Sequence, residues 1–142
     1  MTAGLETRPA RILVVEDERQ TARLLEFILG REGYRVARAA DGPHALAAAG
    51  EFRPDAVLLD LQLPGLSGLE VLRRLRAAPD HAGLVVLVLT ASSFEVAPAA
   101  VLEAGADSCC TKPIAPTTLL RKLRELNVPA RVPAPPPGGP EC

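Results

Sequence analysis

Leu84-Val85-Val86-Leu87-Val88-Leu89, ending at Thr90, decides the fold. Both alternating sets of side chains in this run are apolar. A strand built from it needs cover on both faces, which describes a central strand of a parallel sheet with helices on either side. Four shorter runs fit the same sheet: Ile12–Val15, Tyr34–Ala37, Ala56–Leu59 and Ser108–Cys110. Segments of helical period lie between them. Arg19–Glu32 carries Leu24, Leu25 and Ile28 on one face, with Gly33 as its stop. Asp41 is placed to cap a second helix with Pro43 in its first turn and a thin apolar face of Ala45, Leu46 and Ala49. Ser67-Gly68-Leu69-Glu70 has capping-box spacing ahead of Leu72 and Leu75. A fourth helix is predicted over roughly Glu95–Ala104, where Pro98 fits only near the start. A fifth is predicted over Pro116–Leu126, with Leu119, Leu123 and Leu126 inward. Five strands alternating with five helices predict an α/β fold with helices on both faces of a parallel sheet.

The chain has 142 residues, enough for one domain with a full core, and 48% of them are hydrophobic. Sixteen basic and 17 acidic residues leave a net charge of −1, which offers no electrostatic case for a dedicated nucleic-acid binder. Three cysteines, two of them adjacent, do not make a disulfide framework. No apolar run approaches the ~18 residues of a membrane span, and Met1–Arg8 has no signal-peptide core. The expectation is a cytoplasmic protein with no membrane contact. Residues 9–127 read as the domain. Residues 128–142, with Pro129–Pro140 read as neither helix nor sheet, are expected to be a disordered tail or a linker.

In a parallel sheet of this kind, ligands sit beyond the carboxyl ends of the strands. Those ends carry Glu16, Asp17 and Glu18 after the first strand, Asp60 after the third and Thr90 after the fourth; Lys112 follows the fifth. Crowded carboxylates repel unless a cation joins them, and oxygen ligands without His or Cys suit a hard ion such as Mg²⁺. A carboxylate can also act as a nucleophile toward phosphorus. The phosphoryl oxygens then need neutralising, for which a metal, a Lys ammonium and a Thr hydroxyl are suited. Lys112 and Lys122 are the only lysines in an arginine-rich chain, and a compact ammonium suits a small phosphate site better than a planar guanidinium.

The stretches Ile12-Leu13-Val14-Val15-Glu16-Asp17-Glu18, Val57-Leu58-Leu59-Asp60-Leu61-Gln62-Leu63-Pro64-Gly65, Val88-Leu89-Thr90-Ala91 and Thr111-Lys112-Pro113 resemble the receiver domain of two-component response regulators. The resemblance covers about Arg11 to Asn127 in the right order and spacing. It implies a CheY-like, flavodoxin-like (βα)5 doubly wound sheet of order 2-1-3-4-5. It also implies Asp60 as phospho-acceptor, Thr90 as the switch hydroxyl and Lys112 as the charge partner of the phosphoryl group. Mg²⁺ would be held by Glu16, Asp17, Asp60 and the main-chain carbonyl of Gln62. The Lys112–Pro113 peptide would be cis. The phosphoryl group would come from a sensor histidine kinase or a phosphotransfer protein. A downstream protein, or a second copy of the chain, would bind the face running from the fourth strand to the fifth helix, with no direct nucleic-acid contact.

Departures from the family pattern are informative. Cys109 stands where many receivers carry Tyr or Phe, Ile114 replaces a frequent Phe, and Ser67 takes the place of a common Asp. Gln62 and Ser92, two residues after Asp60 and Thr90, occupy positions that flank the attacking water in the family. The alternatives are weaker. A dinucleotide or flavin protein needs a phosphate-cradling loop after the first strand, where this chain is acidic. An Asp-nucleophile phosphatase commonly carries a second Asp where this chain has Gln62, so no turnover of an outside substrate is expected. A phosphate-independent interaction module remains the competing reading. Glu18 reads as a first-turn helix residue, His44 and His81 as surface residues, Arg73, Arg74 and Arg76 as a solvated face, and Cys109 and Cys110 as small buried residues on opposite faces.

Overall fold

In the computed structural model, which describes residues 6–91 and 97–134, five parallel strands form one sheet. In chain order the elements are β1 (Thr7–Pro9), β2 (Arg11–Val15), α1 (Arg19–Arg31), β3 (Arg35–Ala39), α2 (Gly42–Phe52), β4 (Ala56–Asp60), α3 (Gly68–Ala77), a single 3₁₀ turn (Pro79–His81), β5 (Val85–Thr90), α4 (Pro98–Glu103), β6 (Ser108–Thr111), α5 (Pro116–Glu125) and β7 (Arg131–Pro133). The sheet order is β3-β2-β4-β5-β6. With β1 set aside, this is the expected 2-1-3-4-5 order. Ser92, Glu95 and Cys142 lie outside the described residues.

Alternation along the strands builds two cores. Ile12, Val14, Leu58, Leu87 and Leu89 face α1 and α5, where Leu25, Leu29, Leu119 and Leu123 meet them. Leu13, Val15, Val57, Leu59, Val86 and Val88 face the other way, onto Ala45, Ala49, Val71, Leu72, Leu75 and Val101. Each buried Leu, Ile or Val here, removed from water, contributes roughly 1.5–3 kcal/mol. The small alanines of α2 let that helix lie close to the sheet. Among the described residues, no helix is long and apolar enough to cross a membrane.

Helix ends follow local chemistry. Glu18 caps α1 through the Thr21 amide, Asp41 caps α2 through the His44 amide, and Ser67 caps α3 through the Glu70 amide. The Glu70 carboxylate pairs outward with Arg74 at 3.1 Å. Pro98 stands at the first turn of α4, the position where its missing N–H costs nothing.

Three expectations are corrected. Leu24 is 58% exposed, and the buried stripe of α1 is Ala22, Leu25 and Leu29. Arg76 is not on a solvated face. Its guanidinium donates to Gly105 O at 2.8 Å and Leu84 O at 2.6 Å and pairs with Asp107 at 2.9 Å, tying α3 to the strands beside it.

The third correction concerns the tail. Arg131–Pro133 is a strand, antiparallel to Thr7–Pro9. Bonds from Ala10 N to Ala130 O and from Ala134 N to Glu6 O set the alternation of the ladder. Pro9 and Pro133 then fall at positions where no ladder N–H is required, which is how a strand tolerates proline.

Candidate functional site

The carboxyl ends of β2, β4 and β5 meet at one edge of the sheet. Register places Val15 beside Leu59 and Asp60 beside Leu89, so the residues that follow converge from distant parts of the chain. Glu16, Asp60 and Thr90 are each 5% exposed, the only buried polar or charged residues among those described. Asp17 is exposed at the rim. One carboxylate oxygen from each of Glu16, Asp17 and Asp60 lies within 4.8 Å of the other two.

Lys112 closes the cluster from β6. Its Nζ donates to Glu16 Oε1 at 2.5 Å and to Asp60 Oδ2 at 3.1 Å. Its amide donates to Thr90 O at 2.7 Å, fixing the loop against β5, and the Lys112–Pro113 peptide is cis as expected. The remaining carboxylate oxygens are held by backbone. Glu18 N donates to Glu16 Oε2 at 3.1 Å, and Gln62 N donates to Asp60 Oδ1 at 3.0 Å. Glu18 itself turns away and serves α1, accepting from the Thr21 amide and hydroxyl.

Burial pushes the Glu16 carboxyl up, and the neighbouring Asp60 charge adds to this against the Lys112 bond. Burial works against the Lys112 ammonium, but its bonds to Glu16 and Asp60 win and hold its pKa above the ordinary value. Three carboxylates against one ammonium leave a local excess of negative charge. All candidate ligand atoms are oxygens, and no His or Cys stands among them. This donor set fits a hard divalent cation.

Gly68 is a site residue that the sequence reading passed over. A Cβ there would stand 2.3 Å from Asp60 O and 2.6 Å from Leu61 Cα. Its amide donates to Leu61 O at 3.0 Å, so the start of α3 is pressed onto the loop that carries Asp60. A glycine in the first turn of a helix, where better helix formers are available, was the readable signal. Gly68→Ala is expected to cost about 1–3 kcal/mol by overpacking and to displace the Asp60 backbone. A thermal melt alongside a ligand-binding assay at the cluster would show both losses; an unshifted melt would refute the close approach.

Cys109 and Cys110 are free thiols, half-buried and packed on opposite sides of β6. Burial raises the Cys109 thiol. A cavity of about 390 Å³ opens here, lined by Thr90, Cys109, Cys110, Pro113, Ile114 and Thr118 among others. Cys109 and Ile114, where the resemblance predicts aromatics, are among the residues that line it. His44 is exposed and pairs with its own cap, Asp41, at 2.7 Å.

The arrangement can hold a cation between carboxylates and neutralise an incoming anion with an ammonium. A carboxylate oxygen, Asp60's, remains near both. The sequence profile of the response regulator receiver domain matches residues 12–124. The DNA-binding response regulator MtrA of Mycobacterium tuberculosis is 42% identical over 120 residues, covering 84% of this chain and 51% of MtrA. The response regulator MprA of a Mycobacterium species is 46% identical over 118 residues, covering 83% of this chain and 50% of MprA. The chain thus spans about half the length of the curated relatives it matches. Among solved structures, the Vibrio cholerae chemotaxis protein CheY4 superposes with a TM-score of 0.78 at 30% identity, over 83% of this chain and 98% of CheY4. The receiver domain of the sensor histidine kinase PA1611 from Pseudomonas aeruginosa, with magnesium coordinated in its active-site cleft, gives 0.77 at 33% identity, over 83% and 97%.

Proposed function

The chain belongs to the response regulator receiver domain family of two-component signalling, and from that premise we propose that Asp60 is its phospho-acceptor. The observation that carries this is the bridging of Glu16 and Asp60 by Lys112 Nζ, with Asp17 completing a triad of carboxylates within 4.8 Å. An Asp60 carboxylate oxygen attacks phosphorus, and the bond from phosphorus to the donor breaks with its electron pair leaving on the donor. Glu16, Asp17, Asp60 and the Gln62 carbonyl are the residues that would hold Mg²⁺. Bound there, the ion offsets charge on a phosphoryl oxygen. Lys112 neutralises a second oxygen by exchanging its bond to Asp60 Oδ2 for one to the phosphoryl group. The Thr90 hydroxyl takes a third.

Phosphorylation then shifts a population rather than building a new fold. Added charge at Asp60 recruits Thr90 and Lys112, both attached to the strands that border α4 and α5. We assign the face from β5 to α5 to a downstream protein or a second copy of the chain, and the donor role to a histidine kinase or phosphotransfer protein. DNA binding is named for MtrA as a whole, of which this chain spans 51%; it is not assigned to the receiver.

The test is intact-protein mass after incubation with acetyl phosphate. One phosphoryl group per chain is expected with Mg²⁺ and none when the ion is chelated. Absence of the adduct in a protein shown to bind Mg²⁺ would overturn the reading in favour of a phosphate-independent interaction module.

A further inference from the structure

The family match ends at residue 124 and begins at residue 12, and the two strands outside it pair with each other. Asn127, at φ 67°, turns the chain out of α5. Val128 N then returns to Leu123 O at 2.7 Å, and Val128 O accepts from the buried Tyr34 hydroxyl at 2.6 Å. Val128 and Val132, 2% and 9% exposed, enter the same core as Leu29 and Leu123. Arg131 donates to Thr7 Oγ1 and Thr7 O, both at 2.8 Å. On the other strand, Arg8 makes a two-pronged ion pair with Asp55 at 2.8 and 2.9 Å, and Asp55 also accepts from Arg11 N.

We propose that β1 and β7 are a clasp that makes residues 128–134 part of the domain and fixes the departure of the chain beside Glu6, at the sheet edge opposite the acidic cluster. The alternation of Val128, Ala130 and Val132 toward the core is that of a strand that needs its partner, not of a loose linker. Arg8 anchors the clasp to the residue just before β4, and Asp60 lies at the far end of that strand, about 16 Å away. The clasp therefore ties the end of α5 to the strand that bears the proposed phospho-acceptor, and the folded unit takes in Thr7–Pro9 and Arg131–Pro133.

Hydrogen exchange on the full chain, read by mass spectrometry, tests this. Amides in 128–134 are expected to exchange roughly a hundredfold slower than in a free peptide. Arg131→Ala removes an exposed side chain whose bonds go to Thr7. It is expected to lower protection in 6–9 and 128–134 by roughly tenfold, with β2, β4 and β5 unchanged. Arg8→Ala should do the same from the other strand. Neither residue touches the acidic cluster, so Mg²⁺-dependent phosphorylation should persist in both variants and failure of the clasp is separable from failure of the site. Free-peptide exchange of 128–134 in the unaltered chain, or protection there unchanged in both variants, would overturn the proposal.

Discussion

Asp60→Asn, treated with acetyl phosphate and Mg²⁺, is expected to carry no phosphoryl group. The amide that replaces the carboxylate lacks the anionic oxygen that attacks phosphorus. The substitution also removes one of three carboxylates from the triad, so Mg²⁺ affinity should fall by roughly tenfold or more, at least the loss typical of a supporting ligand partner. Stability in the absence of the ion should not fall with it. The Asp60 charge pushes the Glu16 carboxyl up, and removing that charge relieves a repulsion inside the fold. The expected signature is therefore an unreactive protein that melts no lower than the original. An adduct of unchanged stoichiometry on the variant would place the acceptor elsewhere.

Lys112→Ala is expected to have the larger effect on stability. Glu16 and Asp60, whose side chains are 3% and 6% exposed, lose the ammonium that bridges them. Breaking a buried pair from one side typically costs about 3–5 kcal/mol; with the Lys112 side chain 19% exposed at the rim, roughly 2–3 kcal/mol is expected at pH 7. That is a large part of the stability of a domain this size. The pH dependence follows from the direction of the shift. Burial already holds the Glu16 carboxyl above its ordinary value, and loss of Lys112 raises it further. A carboxyl with a raised folded pKa penalises the fold when ionised, so the deficit is full above that pKa and shrinks as the pH falls through it. Urea unfolding of the variant should show a smaller deficit at pH 5 than at pH 7. Added Mg²⁺ should raise the midpoint of the variant more than that of the unaltered chain, because a cation then takes over the ammonium's electrostatic role. Equal stability of the two proteins at pH 7 would mean that water at the rim, not Lys112, compensates the carboxylates.

Much of the site was legible because its chemistry is carried by residue types at strand ends. Glu16, Asp17, Asp60 and Thr90 stand out as polar residues at the ends of apolar runs, Lys112 follows the fifth strand, and a parallel sheet puts such ends on one edge. The role of Ser67 as a cap was legible for the same local reason, whereas Glu18, read as a first-turn residue, is the cap of α1 itself. Gly68 was passed over: a glycine in a first helical turn signals a close approach, but nothing in its neighbours in sequence reports that the approaching backbone, 2.3–2.6 Å from where its Cβ would be, is that of Asp60 and Leu61. Arg76 was read as one of three solvated arginines. Only its place on α3, over the β5–β6 connection, sends it to Gly105, Leu84 and Asp107 while Arg73 and Arg74 stay exposed.

The amino-acid sequence by itself determined the order of the five central strands and five helices, the two apolar faces of the sheet and the identity of the acidic and basic groups at its edge. Those properties depend on residue type and short-range period, which a chain carries whether or not it is folded. Tertiary structure alone decided which carboxylate meets Lys112, which glycine admits the Asp60 loop, and that Leu24 faces water while Ala22 does not. It also decided that a proline-flanked segment after α5 becomes a strand. Val128 and Val132 are buried only because Tyr34, Leu29 and Leu123 are assembled beneath them, and β7 has a ladder only because β1 is delivered from the other end of the chain. Contacts of that kind join residues more than 90 positions apart, and no local pattern encodes a partner at that distance.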